Sequence, residues 1–62
     1  MSNIAEKIRG RRKNLGLSQE SLAERLHVSR QTISSWENGK SAIKLENAKP
    51  LSDELKIPLD EF

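Results

Sequence analysis

The sequence predicts an all-α protein, and two features of the chain support this prediction. Apolar residues recur at the three- and four-residue spacing of amphipathic helices, in successive short stretches. Residues that favour a helix start precede three of these stretches, and residues that tolerate a left-handed backbone follow them. With 62 residues, the chain is expected to form one small domain that buries only about 60% of its unfolded surface.

The composition argues against several classes of protein. The chain has no cysteine, so it has neither a disulfide nor a thiolate metal site. It has no apolar run near the roughly 18 residues of a membrane span. No signal peptide is recognisable, because Met1 leads directly into a polar, helical pattern. We therefore expect a cytoplasmic protein without a membrane partner, a metal or another cofactor.

Charge is distributed unevenly along the chain. The net charge is only +2, but residues 1–44 contain nine basic and four acidic side chains, a net charge of +5. Residues 45–62 contain two basic and five acidic side chains, a net charge of −3. A basic segment of this kind is expected of a surface that attracts nucleic acid, although solvated charge alone also produces such a pattern.

The first helix is predicted from Met1 to Leu15. Asn3 is its N-cap, and Glu6 follows three residues later, as in a capping box. Gly16 supplies the C-terminal cap, and the basic residues of the last turns suit the helix dipole or attract phosphates. The buried stripe is expected to contain Ile4, Ala5, Ile8 and Leu15, with Arg12 near its edge.

The second helix is predicted to follow Leu17, with Ser18 as its N-cap. Its inward stripe contains Leu22, Ala23 and Leu26, and the small Ala23 allows another helix to cross closely. His27 stands where the chain must turn. Histidine adopts a positive φ more readily than most residues, so we interpret His27 as a strained turn residue rather than a metal ligand.

The third helix lies between Ser29 and Asn38. Ser29 is a good N-cap and Gly39 a good C-terminal residue. Ser29, Ile33 and Trp36 cluster on one side, which we expect to face the core. The opposite side is polar but almost uncharged, and such amide and hydroxyl groups suit the reading of base edges. This outer side contains Gln31, Ser34, Ser35 and Asn38, with Arg30 on its flank.

Two short helices joined by so short a turn, the second with a polar outer face, predict a helix-turn-helix unit at about residues 18–38. The residues that carry this pattern are LGLSQESLAERLHVSRQTISSWENGK. This segment resembles the Cro and phage-repressor type helix-turn-helix, the xenobiotic-response-element (XRE) family, and the resemblance extends from about Ile4 to Phe62. His27 departs from the glycine that is usual there.

The resemblance implies a single DNA-binding domain over residues 1–62. Its fold would be a lambda-repressor-like bundle of four to five short helices, whose third helix enters the major groove. It also implies an ion pair between Arg12 and Glu37. By position, the implied base-reading residues are Arg30, Gln31, Ser34 and Ser35. The implied phosphate-positioning residues are Gln19, Ser29, Asn38 and Lys40.

The C-terminal third predicts a fourth helix through Leu45, Ala48, Leu51 and Leu55. Pro50 conflicts with a regular helix, because proline removes a hydrogen bond and clashes with the preceding turn. Either the helix is kinked or it restarts with Pro50 at its first position, and an altered first half is favoured. Residues 59–62 look like the opening turn of a fifth helix, whose Phe62 caps the core unless the sequence is part of a longer protein.

We therefore expect a sequence-specific, double-stranded DNA-binding regulator, typical of a prokaryotic or phage repressor. It is expected to bind a near-palindromic operator as a homodimer. Catalysis is not expected, because the single histidine lies at a turn and the acidic residues form no inward pair with a partner base. No small-molecule substrate is evident. The alternative is a protein-interaction module or an antitoxin with the same fold. Such a module needs exposed apolar anchors, for which the candidates are Ala42, Ile43, Leu59 and Phe62.

Overall fold

The computed structural model describes residues 3–62. Met1 and Ser2, which the sequence analysis assigned to the first helix, lie outside the described residues. The described part contains four α-helices and no strand, which confirms the all-α prediction. None of its helices is both long and apolar enough to cross a membrane. The elements are α1 (Ile4–Asn14), α2 (Gln19–Leu26), α3 (Arg30–Glu37), α4 (Leu45–Leu55) and a 3₁₀ turn (Leu59–Glu61).

The first three helices begin at the predicted caps. Each cap has an extended backbone, and its side-chain oxygen accepts the backbone N–H three residues later, which satisfies one of the free donors of the first turn. The bonds run from Glu6 to Asn3 (3.2 Å), from Ser21 to Ser18 (2.9 Å) and from Thr32 to Ser29 (3.1 Å). By contrast, α4 follows Lys44, whose side chain forms no such bond.

All four helices end in the same way. A residue with positive φ follows each helix, and the next residue donates its N–H back to a carbonyl five residues earlier, as in a Schellman motif. The left-handed residues are Gly16 (φ 71°), His27 (φ 58°), Gly39 (φ 69°) and Lys56 (φ 59°). The predicted turn conformation of His27 is therefore confirmed, whereas Lys56 was not identified from the sequence.

The core lies where α3 crosses α1 and α2, and α4 closes it from the remaining side. Trp36 is only 3% exposed, which confirms that it belongs to the core and is not a platform for stacking bases. The buried cluster consists of Ile8, Leu22, Ala23, Ile33, Trp36, Leu51, Leu55 and Ile57.

Three residues assigned to apolar stripes or the inner side are exposed. Leu15 is 43% exposed because it caps α1, where the chain turns at Gly16, and Leu17 packs against the core instead. Ser29 is exposed because its hydroxyl caps α3 outside the bundle. Leu45 is 79% exposed because it is the first residue of α4 and no other element of the described chain covers it.

Pro50 lies inside a single unbroken helix. The structure corrects the expectation of an altered first half or a restart at Pro50, because α4 is helical from Leu45 to Leu55. Pro50 has no N–H to donate to the carbonyl of Glu46, and its ring is exposed. Burial of Ala48, Leu51 and Leu55 on the opposite side of α4 stabilises the helix by more than this local cost.

The C-terminal residues form one 3₁₀ turn rather than an α-helix. Phe62 is half-buried and packs against the core, in agreement with the prediction that it caps the core. Glu61 in this turn pairs with Lys7 of α1, and Arg11 donates to the carbonyl of Leu55 at 3.0 Å. These contacts attach the end of the described chain to α1.

Replacing Pro50 by Ala should stabilise the protein by about 1–3 kcal/mol, because alanine restores the missing hydrogen bond in an exposed helix interior. Equilibrium urea unfolding measures this change. Lys49→Ala, an exposed neighbour on the same helix, is the control and should shift stability by less than about 0.5 kcal/mol. An unchanged or lower stability for Pro50→Ala would contradict the regular helix described above.

Candidate nucleic-acid interface

The outer face of α3 forms a shallow polar depression. It lies on the side of α3 opposite the buried Ile33 and Trp36. Arg30 and Gln31 are exposed in the first turn, whereas Ser34 and Ser35 are half-buried in the second. The depression has a volume of about 260 Å³ and is lined by Arg30, Gln31, Ser34, Ser35, Asn38 and Lys40. All four residues assigned to base reading, and two assigned to phosphates, thus share one surface.

The local sequence explains why these side chains face outward. The cap at Ser29 fixes the start of α3, and Gly39 ends it after two turns. This leaves the polar residues on the side that α1 and α2 do not cover. Asn38 donates to the Ser34 hydroxyl at 3.3 Å, and Lys40 lies just beyond the turn. The far end of the depression therefore presents an amide and an ammonium group.

The hydroxyl of Ser29 is already engaged by its own helix. It accepts the N–H of Thr32 at 3.1 Å and lies 2.9 Å from the Thr32 hydroxyl. Ser29 does not line the depression. Its assignment to phosphate positioning stays a prediction, and the observed contacts assign it the role of a helix cap.

A buried ion pair joins α1 to the last residue of α3. Arg12 donates to both carboxylate oxygens of Glu37, from Nε at 2.6 Å and from Nη2 at 3.0 Å. Their side chains are only 10% and 3% exposed. Arg12 also donates from Nη1 to the carbonyl of Leu17 at 2.8 Å, so the same guanidinium holds the segment that leads into α2.

Gln19 extends this pair to the start of α3, a connection that sequence reasoning did not identify. Its Nε2 donates to Glu37 at 3.1 Å, and its Oε1 accepts from Arg30 at 3.3 Å. The Gln19 side chain thus lies between a buried carboxylate and a residue of the depression. No sequence signal indicates this bridge, because the positions come together only when α2 packs on α3.

The pKa of Glu37 reflects two opposing influences. Burial by itself raises the pKa, but hydrogen bonds from Arg12 and Gln19 and the positive charges of Arg12 and Arg9 favour the carboxylate. The result is a pKa below the ordinary value for glutamate. Glu37 is therefore ionised at neutral pH, and its charge is compensated within the protein.

Replacing Glu37 by Gln should destabilise the protein by about 3 kcal/mol at neutral pH, because Arg12 would remain buried without a countercharge. The lowered pKa means that the folded state binds fewer protons than the unfolded state. The contribution of Glu37 is therefore complete above about pH 5 and declines as the pH falls below about 4. Urea unfolding of both proteins at several pH values measures this difference.

Glu24→Gln makes the same substitution at an exposed position and should change stability by less than about 0.5 kcal/mol. A stability difference between wild type and Glu37→Gln that stays constant from about pH 7 to pH 3 would contradict the assigned ionisation of Glu37.

Comparison with known proteins identifies relatives over most of the chain. The chain is 43% identical over 57 residues to the HTH-type transcriptional activator BcrR of Enterococcus faecalis, covering 92% of this chain and 28% of that protein. It is 45% identical over 53 residues to the HTH-type transcriptional regulator DicA of Escherichia coli, covering 86% of this chain and 39% of DicA.

A third relative is an uncharacterized transcriptional regulator in the ATPase CF(0) region of Rhodospirillum rubrum, 34% identical over 61 residues, covering 98% of this chain and 56% of that protein. The chain thus spans between about a quarter and just over half of these relatives. A helix-turn-helix family model matches residues 8–62, which include α2, the turn at His27 and α3. The chain therefore belongs to the Cro/C1-type helix-turn-helix family.

Proposed function

We propose that this chain is a sequence-specific, double-stranded DNA-binding transcriptional regulator that inserts α3 into the major groove. The observation that carries the proposal is the polar face of α3, where six hydrogen-bonding side chains surround one depression. Residues 1–62 are proposed to form one domain, with the helix-turn-helix unit at about residues 18–38. The relatives support this role, because each is described as a transcriptional regulator or activator.

The residues of the depression divide into two proposed roles. Arg30, Gln31, Ser34 and Ser35 read base edges, because they lie along the two turns of α3 that face outward. Gln19 at the start of α2, together with Ser29, Asn38 and Lys40, holds phosphates at the ends of α3. Contacts at both ends fix the register of the helix, and the base contacts between them carry the specificity.

A homodimer on a near-palindromic operator is part of this proposal, since one eight-residue helix reads only a few base pairs. A groove that shares no residue with the reading depression supports it. Leu26, Leu45, Pro50 and Leu59 supply its apolar surface, and charged side chains of both signs surround them. Leu45 is 79% and Leu59 45% exposed, so a second copy would cover apolar surface that is now in water.

Repression of transcription is the simplest effect that we propose for this DNA-binding domain. A domain that occupies an operator excludes other proteins by occupancy alone, whereas activation requires a further contact, although BcrR is described as an activator. We further propose that the protein acts in the cytoplasm with DNA as its partner, without catalysis and without a cofactor.

Selection of bound sequences from random duplex DNA tests the proposal, and recovery of related half-sites at a fixed spacing is expected. With the operator known, Gln31→Ala should relax preference at one base pair per half-site by about 1–3 kcal/mol and leave non-specific binding unchanged. Arg30→Ala should lower both quantities, because its charge also attracts phosphates. Binding isotherms on singly substituted operators measure these effects.

Thr32→Ser, a conservative change beside these positions, is the control and should retain the wild-type pattern of preference. Equal losses on every operator for Gln31→Ala would move Gln31 from base reading to phosphate positioning. Selection that recovers no preferred sequence would overturn the proposed function itself.

Lys40 should contribute to affinity without contributing to specificity. Affinity should fall by a factor near 10³ between about 50 and 200 mM salt if six phosphates are contacted, because binding releases condensed counterions. Lys40→Ala should make the slope of log K against log salt shallower by about one unit and leave sequence preference intact. Lys56→Ala, a lysine beyond α4, serves as the matched control. A slope that Lys40→Ala leaves unchanged would remove Lys40 from the phosphate contacts.

A further inference from the structure

The peptide bond between Asn38 and Gly39 lies at the far end of the polar depression, where α3 ends. It is the one asparagine–glycine pair in the sequence, because Asn3, Asn14 and Asn47 precede isoleucine, leucine and alanine. An asparagine loses its amide when the next backbone nitrogen attacks its side chain. A following glycine hinders that attack least, because it has no Cβ. Both residues of the pair are exposed.

The reaction of such a pair is deamidation, and water is its only co-reactant. The deprotonated backbone nitrogen of Gly39 forms a bond to Cγ of Asn38, the Cγ–Nδ2 bond breaks, and Nδ2 leaves as ammonia. The product is a five-membered succinimide ring that joins the two residues. Water then opens the ring at either carbonyl and gives aspartate or isoaspartate, in which the backbone runs through Cγ. Either product replaces a neutral amide with a carboxylate that is ionised at neutral pH.

The folded turn holds this pair in an unreactive arrangement. The ψ angle of Asn38 is 0°, so the Gly39 nitrogen eclipses the backbone nitrogen of Asn38, whereas ring closure requires it to eclipse Cβ. The Gly39 N–H also donates to the Trp36 carbonyl at 3.2 Å, and the Asn38 amide donates to the Ser34 hydroxyl at 3.3 Å. Attack therefore requires a rotation about ψ of Asn38 and the loss of the Gly39 hydrogen bond.

That rotation can occur without exposing the core. Residues 38–42 are exposed, whereas Trp36 just before them is buried. The turn is closed by the bond from Gly39 and by the N–H of Lys40, which donates to the Ser35 carbonyl at 2.9 Å. Exposed hydrogen bonds of this kind open at a lower free energy than the fold as a whole. The reactive arrangement is therefore reached by local opening of the turn.

We propose that Asn38 is a site of spontaneous deamidation, reached by local opening of the turn after α3, and that the modification weakens DNA binding. The effect on binding rests on the proposed function, in which Asn38 and Lys40 hold phosphates. A carboxylate at position 38 repels a phosphate, and it also offsets the charge of Lys40, which lines the same depression. Bound DNA keeps the turn closed, so the free protein is modified and the bound protein is spared.

Peptide mapping by mass spectrometry tests the chemistry without DNA, because each event replaces NH₂ with OH. During incubation of the folded protein at mildly alkaline pH, Asn38 should be modified, and Asn14 and Asn47 in the same molecules serve as internal controls. In urea-unfolded protein the rate at Asn38 should be higher by about tenfold or more, which corresponds to ~1.4 kcal/mol of opening free energy. Equal rates in the two states would overturn protection by the turn, and faster modification of Asn14 or Asn47 would overturn the assigned site.

The urea dependence of the rate distinguishes local from global opening. Below the unfolding transition the rate at Asn38 should depend little on urea, because opening of one turn exposes little surface. A rate that follows the global unfolding curve would overturn the local route.

Duplex DNA tests the effect on binding. The rate at Asn38 should fall about hundredfold at a free duplex concentration near 100 Kd, because only unbound protein reacts. Asn38→Asp should bind duplex about tenfold more weakly than wild type. Asn47→Asp is the matched control, since it adds the same charge in the first turn of α4, outside the depression, and should weaken binding less. Circular dichroism first establishes that each variant is folded.

Ageing of the protein joins the two measurements. Incubated wild type should lose duplex affinity in proportion to its modified fraction. Asn38→Gln should keep its own starting affinity, because glutamine would have to form a larger ring that closes more slowly. Wild-type affinity in Asn38→Asp, or in aged and modified wild type, would overturn the effect on binding and leave the proposed function intact. A wild-type protein that binds no duplex would overturn both, whereas the modification at Asn38 is judged by peptide mapping alone.

Discussion

The buried ion pair between Arg12 and Glu37 is the interaction on which the arrangement of the first three helices depends. Its two hydrogen bonds join α1 to the end of α3, and its third donor holds the carbonyl that precedes α2. Removing two charges from water is costly, and only a fully hydrogen-bonded geometry offsets that cost. We expect the pair to favour one orientation of α3, because rotation of the helix would break both hydrogen bonds and leave two buried charges without partners.

Most of the fold could be predicted from the sequence because nearby residues determine where each helix begins and ends. Asn3, Ser18 and Ser29 cap helices through atoms only three residues away, and Gly16 and Gly39 end them through backbone preference. Helical spacing predicts that Leu15 and Leu45 belong to apolar stripes. It does not indicate whether another element covers the ends of a stripe, and both residues are exposed in the structure. The sequence predicts a kink or restart at Pro50 that the structure does not show, because the packing of the whole helix outweighs one local cost.

In the candidate site, too, local features could be predicted from the sequence and long-range contacts could not. The outward residues of α3 follow from helical spacing, so their shared surface could be anticipated, although their roles toward DNA stay predictions. The bridge through Gln19 could not be anticipated, since it joins positions 11 and 18 residues away in the chain. Long-range polar contacts of this kind depend on side-chain rotamers in the folded state, and a single sequence does not encode them as a recognisable pattern.

The separation between the polar outer face of α3 and the core has an evolutionary consequence. Gln31 is exposed and contributes nothing to the buried cluster, so substitutions there should change stability by less than about 0.5 kcal/mol. Under the proposed role of Gln31 in base reading, a duplicated gene can explore new operator sequences at this position without first acquiring compensating mutations. Arg30 is less free, because its neighbour Gln19 also bonds to the carboxylate of Glu37. Divergence among paralogues of this chain should accordingly begin at Gln31 and reach Arg30 together with Gln19.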